Sequence, residues 1–320
     1  MQELKDIGVE KVELNDMCYL YAEIPATPGY EDQPAIGLIA HMDTVMDFSG
    51  KDIHPQIIEN YNGEDVKLGD SGRVLSVKEF PHLKNMKGRT LITTDGTTLL
   101  GADDKAGIAE IMGALEKLTA GGAPHGELRI VFTTDEETGR GTDGLDVPAL
   151  GCDFGYTVDG GPLAEIEYEN FNAADAVAVF HGIGVHPGSA KDVMVNASTA
   201  AMAFHAMLPP EQVPEKTEGY EGFFHLTSMN GTVTEAVLRY IIRDHDREKF
   251  QEKKALFAAC AEAVNARYGA GTVSVEITDS YYNMKEKILP HFHLIERAEN
   301  AFRANGVAPM CVPILSLIHS

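Results

Sequence analysis

A chain of 320 residues is long for one compact core and short for three domains, so two domains are the expectation. Apolar residues at 44% and charged residues at 23% are ordinary for a folded protein, and exclude disorder, collagen and coiled coil as the main architecture. The 49 acidic against 26 basic residues give a net charge of -23, a field that repels nucleic acid and anionic membrane, so neither is an expected partner. An acidic excess reads as a solvated surface or as carboxylates gathered around cations, and surface accounts for most of it. No run approaches the ~18 apolar residues that a membrane span needs. The first residues, MQELKDIGVEKVEL, lack the apolar centre of a signal peptide, and a cytoplasmic location is expected. Cys18, Cys152, Cys260 and Cys311 are far apart and form no CxxC pair, which suits reduced thiols in that compartment.

In chain order, Pro34 to His41 (PAIGLIAH) is a short apolar run ending in polar residues, the pattern of a buried strand. An irregular stretch rich in Gly and Asp follows. Asp103 to Leu118 then carries Ile108, Ile111, Met112, Leu115 and Leu118, a helical stripe with acids in its first turn, where the helix dipole favours them. Leu128 to Thr134 and Phe154 to Asp159 read as further buried strands. Strand, helix, strand with apolar strands predicts an α/β fold with a mostly parallel sheet flanked by helices.

The middle changes character. Ala176 to Phe180 starts a strand, and Asn196 to Leu208 is an Ala/Met-rich helix. Gly222 to Met229 and Thr232 to Arg243 read as strands joined by a turn at Asn230-Gly231, a strong hairpin dipeptide. Asp246 to Tyr268 is a long helix and Thr272 to Thr278 an alternating strand. The order βαββαβ is that of a ferredoxin-like unit. Pro290 to Asn305 reads as a helix returning to the first domain. The predicted organisation is a first domain over 1–169, an insertion over 170–282 and a return segment over 283–320.

Polar residues gather where the presumed strands end, the edge at which open α/β sheets place ligands. His41 and Asp43, two apart at a strand end, can lie on one side, where a carboxylate holds an imidazole tautomer while the other nitrogen binds a metal. A capped strand end explains the same pair. Asp103-Asp104 opens a helix, which N-capping alone would explain. Glu136-Glu137 follows a strand, and adjacent side chains diverge, so one can bind metal while its neighbour acts as general base; a solvated acidic turn is the plain reading. Asp159, in TVDGG, ends another strand. Together, carboxylate and imidazole without thiolate suit a hydrolytic zinc or manganese centre better than a structural zinc site.

The motifs HMDT, GTTLLGADDKAGIAEIM, FTTDEETGRG, TVDGG and GVHPGSAKDVMVNA, in this order, closely resemble the peptidase T family, tripeptide aminopeptidases of the dinuclear zinc aminopeptidase and carboxypeptidase superfamily. The resemblance runs from about Gln2 to Ile314. It implies a zinc-peptidase domain interrupted by a lid and dimerisation domain, a homodimer formed through that lid, two zinc ions per subunit and release of the N-terminal residue from small peptides. It makes His41 and Asp159 ligands of one zinc, Glu137 a ligand of the other and Asp103 the bridge between them. Asp43 would orient His41, and Glu136 would be the general base. In the inserted domain His186 matches a histidine that reaches a substrate site, often in the partner subunit. Asn196 and Arg243 match positions that bind peptide backbone and terminal carboxylate. Read without the resemblance, these three are a loop histidine, a helix N-cap and a sheet-edge charge.

Two departures set further expectations. The family carries a helix-bearing segment before the point that corresponds to Met1. VAPMCVPI matches a strand that leads, in the family, to an Arg-Gly-Gly-Thr-Asp-Gly turn with a substrate-binding arginine and, beyond it, a last zinc-ligand histidine. Here Leu315 to Ser320 follow instead. The chain is therefore expected to be truncated at both ends, with His319 a frayed terminal residue, one firm metal site and slow turnover. The alternative is an inactive metal- or peptide-binding fragment. A metal-independent binding module is a third reading, disfavoured by the retention of Glu136 with the four upstream ligands.

Overall fold

The computed structural model describes residues 1–314. Its contacts divide the chain into a unit formed by Met1–Gly161 and a second unit that begins at Pro162. Among the described residues no helix is long and apolar enough to cross a membrane.

The first unit is built on a five-stranded sheet of order β1-β2-β8-β3-β9. Its strands are β1 (Lys11–Leu14), β2 (Leu20–Ile24), β3 (Ile36–His41), β8 (Leu128–Thr133) and β9 (Phe154–Thr157). β8, β3 and β9 run parallel, as their unbroken apolar character predicts; β1 and β2 add an antiparallel edge, so the sheet is mixed rather than mostly parallel. Short α1 (Gln2–Asp6) and α3 (Val147–Leu150) flank it, and α2 (Ala102–Thr119) packs along β3. The core joins Leu4, Leu20, Ala40, Ile130 and Phe132 to Ile111 and Leu115, the inner stripe of α2. Gly107 lets α2 reach the end of β9: a Cβ there would stand 1.8 Å from the Val158 carbonyl oxygen.

The stretch read as irregular holds two small hairpin-like pairs. β4 (Pro55–Ile58) pairs with β7 (Leu91–Thr94), and β5 (Val66–Leu68) with β6 (Arg73–Leu75), around a separate core of Tyr61, Val66 and Leu83. Strands of three or four residues with one exposed face carry too few apolar repeats to register as a period.

The second unit contains the βαββαβ run. β11 (Asn172–His181), β12 (Phe223–Gly231), β13 (Glu235–Asp244) and β14 (Val273–Tyr281) form an antiparallel sheet of order β12-β13-β11-β14. α4 (Ala197–His205) and α5 (Arg247–Tyr268) cover one face. Alanines at 174, 176 and 178 on β11 let Phe204, Phe250 and Phe257 settle close to the sheet. Both helices begin at side-chain caps: Asn196 accepts from Thr199 N at 3.2 Å and Asp246 from Lys249 N at 2.9 Å. The hairpin reverses at 232–234 and not at Asn230-Gly231, which still pair with Val237 and Ala236. The Thr232 hydroxyl accepts from Thr234 N and Glu235 N and makes the turn.

β10 (Glu165–Asn170) pairs in parallel with β15 (Met310–Ile314). α6 (Lys285–Ile288) and α7 (His293–Ala304) contact β10, so the described part of the expected return segment makes these contacts inside the second unit. Asn170, Asn172 and Asn283 tie the crossing chains together: Asn172 Nδ2 donates to the carbonyls of Asp244 and His245, and Met284 N donates to Asn170 Oδ1 at 2.8 Å.

Candidate metal centre

Parallel register brings the ends of three strands together. His41 ends β3 opposite Thr133 of β8, and β9 on the other side ends at Thr157. The segments that follow carry Asp43, Glu136-Glu137 and Asp159, and the first turn of α2 carries Asp103 and Asp104. Asp135 and Gly139, both in the left-handed region at φ 65 and 72, bracket the 3-10 turn Glu136–Thr138 and fold it back toward β3.

His41 is the hub and is only 3% exposed. Its Nδ1 lies 3.0 Å from the Asp43 carbonyl oxygen and 3.4 Å from Asp43 Oδ1. Its Nε2 lies 2.8 Å from Asp103 Oδ1, 3.7 Å from Asp159 Oδ2 and 3.9 Å from Glu136 Oε2. The Asp43 carboxylate also accepts from Glu136 N at 3.3 Å and Glu137 N at 3.1 Å, so one side chain fixes both the imidazole and the glutamate turn. Asp104 accepts from His41 N at 3.0 Å and Gly107 N at 3.1 Å, which joins the end of β3 to the start of α2. The Asp103-Asp104 peptide bond is cis.

The electrostatics are those of crowded acids. Burial pulls His41 down, but the hydrogen bond with Asp103 and the charges of Asp159, Asp103 and Asp104 outweigh it and hold the imidazole above its ordinary value. Burial pushes Glu136 and Glu137 up, with neighbouring carboxylates adding to the effect. Asp104, buried and facing the charge of Asp159, is pushed up to about 7 even though backbone N–H groups of His41 and Gly107 favour its ionised form.

These residues fit a divalent cation. Oε2 of Glu136 and Oε2 of Glu137 are buried without a hydrogen-bond partner among the described residues, a cost of about 1–3 kcal/mol each that a cation would remove. Ligand atoms of His41, Asp103 and Glu137 lie within 4.8 Å of one another, and so do those of His41, Asp104 and Asp159. The two sets share His41. The second contains Asp104 where the resemblance gives Asp103; since both Asp104 oxygens already accept backbone N–H groups, Asp103 is the freer donor.

The seven acid and histidine positions singled out at the strand ends and the helix start therefore meet in one place. Asp104 had no sequence signal beyond a helix start, and its strut-like role emerges only from the fold. His186, Asn196 and Arg243 lie in the second unit: before the 3-10 turn Pro187–Ser189, at the cap of α4 and on β13. His186 Nδ1 accepts from Gly188 N at 3.1 Å. No hydrogen bond or ion pair joins these three among the described residues. His319 lies outside the described residues.

Residues 168–272 match the model of the peptidase dimerisation domain. Peptidase T of Clostridium novyi is 51% identical over 315 residues, covering 98% of this chain and 77% of the relative. The crystal structure of the aminopeptidase PepT from Bacillus cereus superposes with a TM-score of 0.76 at 25% identity, over 98% of this chain and 77% of that one. A dinuclear metal-binding peptidase of the M20 family from Bacillus subtilis shares the fold, with a TM-score of 0.58 at 15% identity over 98% of this chain and 74% of that one. The chain spans about three quarters of the length of these relatives, and the match favours the enzyme over the inactive fragment.

Proposed function

The chain belongs to the peptidase T family, and we propose that it is a zinc-dependent tripeptidase that releases the N-terminal residue of its substrate by attack of an activated water. The observation that carries this reading is the closure of Asp103, Asp159 and Glu136 to within 3.9 Å of a buried His41 Nε2. In this reading His41, Asp103 and Asp159 would hold one zinc, and Asp103 and Glu137 would hold the other. When bound, the two ions would polarise the scissile carbonyl and ease ionisation of the attacking water.

The rest of the chemistry falls to the chain's own groups. Asp43 keeps the proton on Nδ1 of His41 and leaves Nε2 as the lone-pair side. Glu136, raised by burial, takes a proton from the attacking water and returns it to the leaving amine. Arg243 binds the carboxylate of the peptide, Asn196 its backbone, and His186 reaches a substrate site. The dimerisation-domain match supports a homodimer formed through residues 170–282, in which β12 and β14 are the sheet edges. The four free cysteines agree with a reducing cytoplasm.

The test is release of the N-terminal residue from a tripeptide by the purified chain, together with elemental analysis before and after chelation. Loss of zinc and activity together, and recovery of both on adding zinc, is the expected result. Hydrolysis that survives complete removal of metal would overturn it.

A further inference from the structure

Arg243 alternates with Ile242 and so points to the face of the β12-β13-β11-β14 sheet that α4 and α5 do not cover. Ala173 of β11 stands opposite Arg243 on one side and Tyr281 of β14 on the other. Its methyl group leaves room for the guanidinium to extend across β11, and Arg243 Cζ lies 5.4 Å from the centroid of the Tyr281 ring.

That contact depends on an irregularity in β14. Ala174 stands opposite Asp279 while Ala173 stands opposite Tyr281, so Ser280 is the extra residue of a β-bulge. In a regular strand Asp279 and Tyr281 would share a face. Here Asp279 turns to the helix side and meets Lys254 of α5 at 2.7 Å, whereas Tyr281 turns to the open side and meets Arg243. Ser280, between them, donates to Asp175 Oδ2 at 2.8 Å.

The guanidinium is held in a definite orientation. Nη1 donates to the carbonyls of Ile242 at 3.2 Å and Ala174 at 3.4 Å. Among the described residues, Nε and Nη2 carry no hydrogen bond. They form the edge of the fork that offers two parallel N–H groups to one carboxylate. An arginine confined to one rotamer loses less conformational entropy when it binds.

We propose that Tyr281 is a positioning residue: bulged onto the open face by Ser280, its ring holds the Arg243 guanidinium so that the Nε–Nη2 edge receives the C-terminal carboxylate of the peptide. The proposal rests on the contact between Arg243 and that carboxylate proposed above.

Steady-state kinetics on the zinc-loaded enzyme with a tripeptide and its C-terminal amide test it. Tyr281→Leu should raise KM for the free acid roughly 3- to 10-fold, the scale of one cation–π contact, with the amide unaffected. Its kcat should stay within about twofold, as a loss of binding alone requires. Tyr281→Phe keeps the ring and should behave as the parent. Tyr281→pentafluorophenylalanine keeps the shape but inverts the ring quadrupole, and should reproduce the leucine effect even where Tyr281→Leu folds poorly. Arg243→Met should show the same preference for the amide, and Tyr281→Leu added to it should change nothing more. If Arg243→Met is carboxylate-selective but both ring variants match the parent, or if they raise KM equally for acid and amide, Tyr281 does not position Arg243. If Arg243→Met affects acid and amide alike, it is the Arg243 reading that fails, and the proposal falls with it.

Discussion

In the first unit, β3, β8 and β9 end side by side and surround His41 with carboxylates, two of which keep a buried oxygen without a hydrogen bond. In the second, β11 and β13 lie under α4 and α5, and the core between them is made of alanines, aliphatics, Cys260 and the rings of Phe180, Phe204, Phe224, Tyr240, Phe250 and Phe257. One unit places unsatisfied acids where the other places edge-to-face aromatic pairs, such as Phe204 against Phe257 at 4.9 Å. Crowded buried carboxylates are unfavourable unless a cation compensates them. A dense apolar core needs no such compensation. The first unit is thus arranged around chemistry and the second around rigidity, and substitutions should separate the two.

The largest effect is expected at Glu136. Glu136→Gln should lower kcat about 10²- to 10⁴-fold with zinc content unchanged, because an amide cannot accept the proton. Glu137→Gln should lower zinc content instead, measured by elemental analysis. Equal zinc loss in both would make the two glutamates equivalent and break the division of roles. Next comes Phe257, fully buried in the second unit. Phe257→Ala should cost ~3–5 kcal/mol in denaturant unfolding through the cavity it leaves. Retained stability would mean that the second unit is not the rigid one.

Among the described side chains of the second unit, His245 is the one whose buried polar atoms are left without a hydrogen bond. Both ring nitrogens are buried without a hydrogen bond, the ring lies 4.0 Å from that of Phe171, and the Ile314 carbonyl is near but outside hydrogen-bond geometry. Burial holds its pKa below the ordinary imidazole value, against the opposing charges of Glu169 and Asp244 and together with that of Lys285. The unfolded chain then takes up the proton first as pH falls, so the titration of this residue should lower stability below about pH 6.5 and leave it unchanged above. His245→Phe should remove that loss and raise stability by roughly 1–3 kcal/mol, read from urea midpoints at pH 5 and pH 8. A variant with an unchanged pH profile would show that the ring finds a partner. The smallest effect concerns Asn196, which caps α4 through Oδ1. Asn196→Ala should cost ~1 kcal/mol of stability, whereas Asn196→Asp keeps the cap and replaces the amide donor with a charged acceptor. A raised KM in Asn196→Asp, at unchanged stability, is what binding of peptide backbone requires.

Much of this molecule is local enough to be read from the chain alone. The apolar runs at 36–41 and 128–133, the stripe on α2 and the βαββαβ order are patterns of period 2 or 3.6, and each became the element it predicts. The acids and His41 could be singled out because they follow apolar runs, and parallel strands always end on one edge. Tertiary structure decided what sequence spacing cannot encode. The antiparallel β1–β2 edge and the small 55–94 core consist of short pieces whose burial depends on distant partners. The Asn230-Gly231 signal lost to hydroxyl hydrogen bonds of Thr232, because the register of β12 and β13 is set by Leu238, Tyr240 and Ile242 packing under the helices. Asp104 became a strut only when His41 N came within 3.0 Å, and Tyr281 reached Arg243 only through a bulge at Ser280. Periodicity records which face a residue prefers; which residue stands opposite it is fixed by register, and register is a property of the whole sheet.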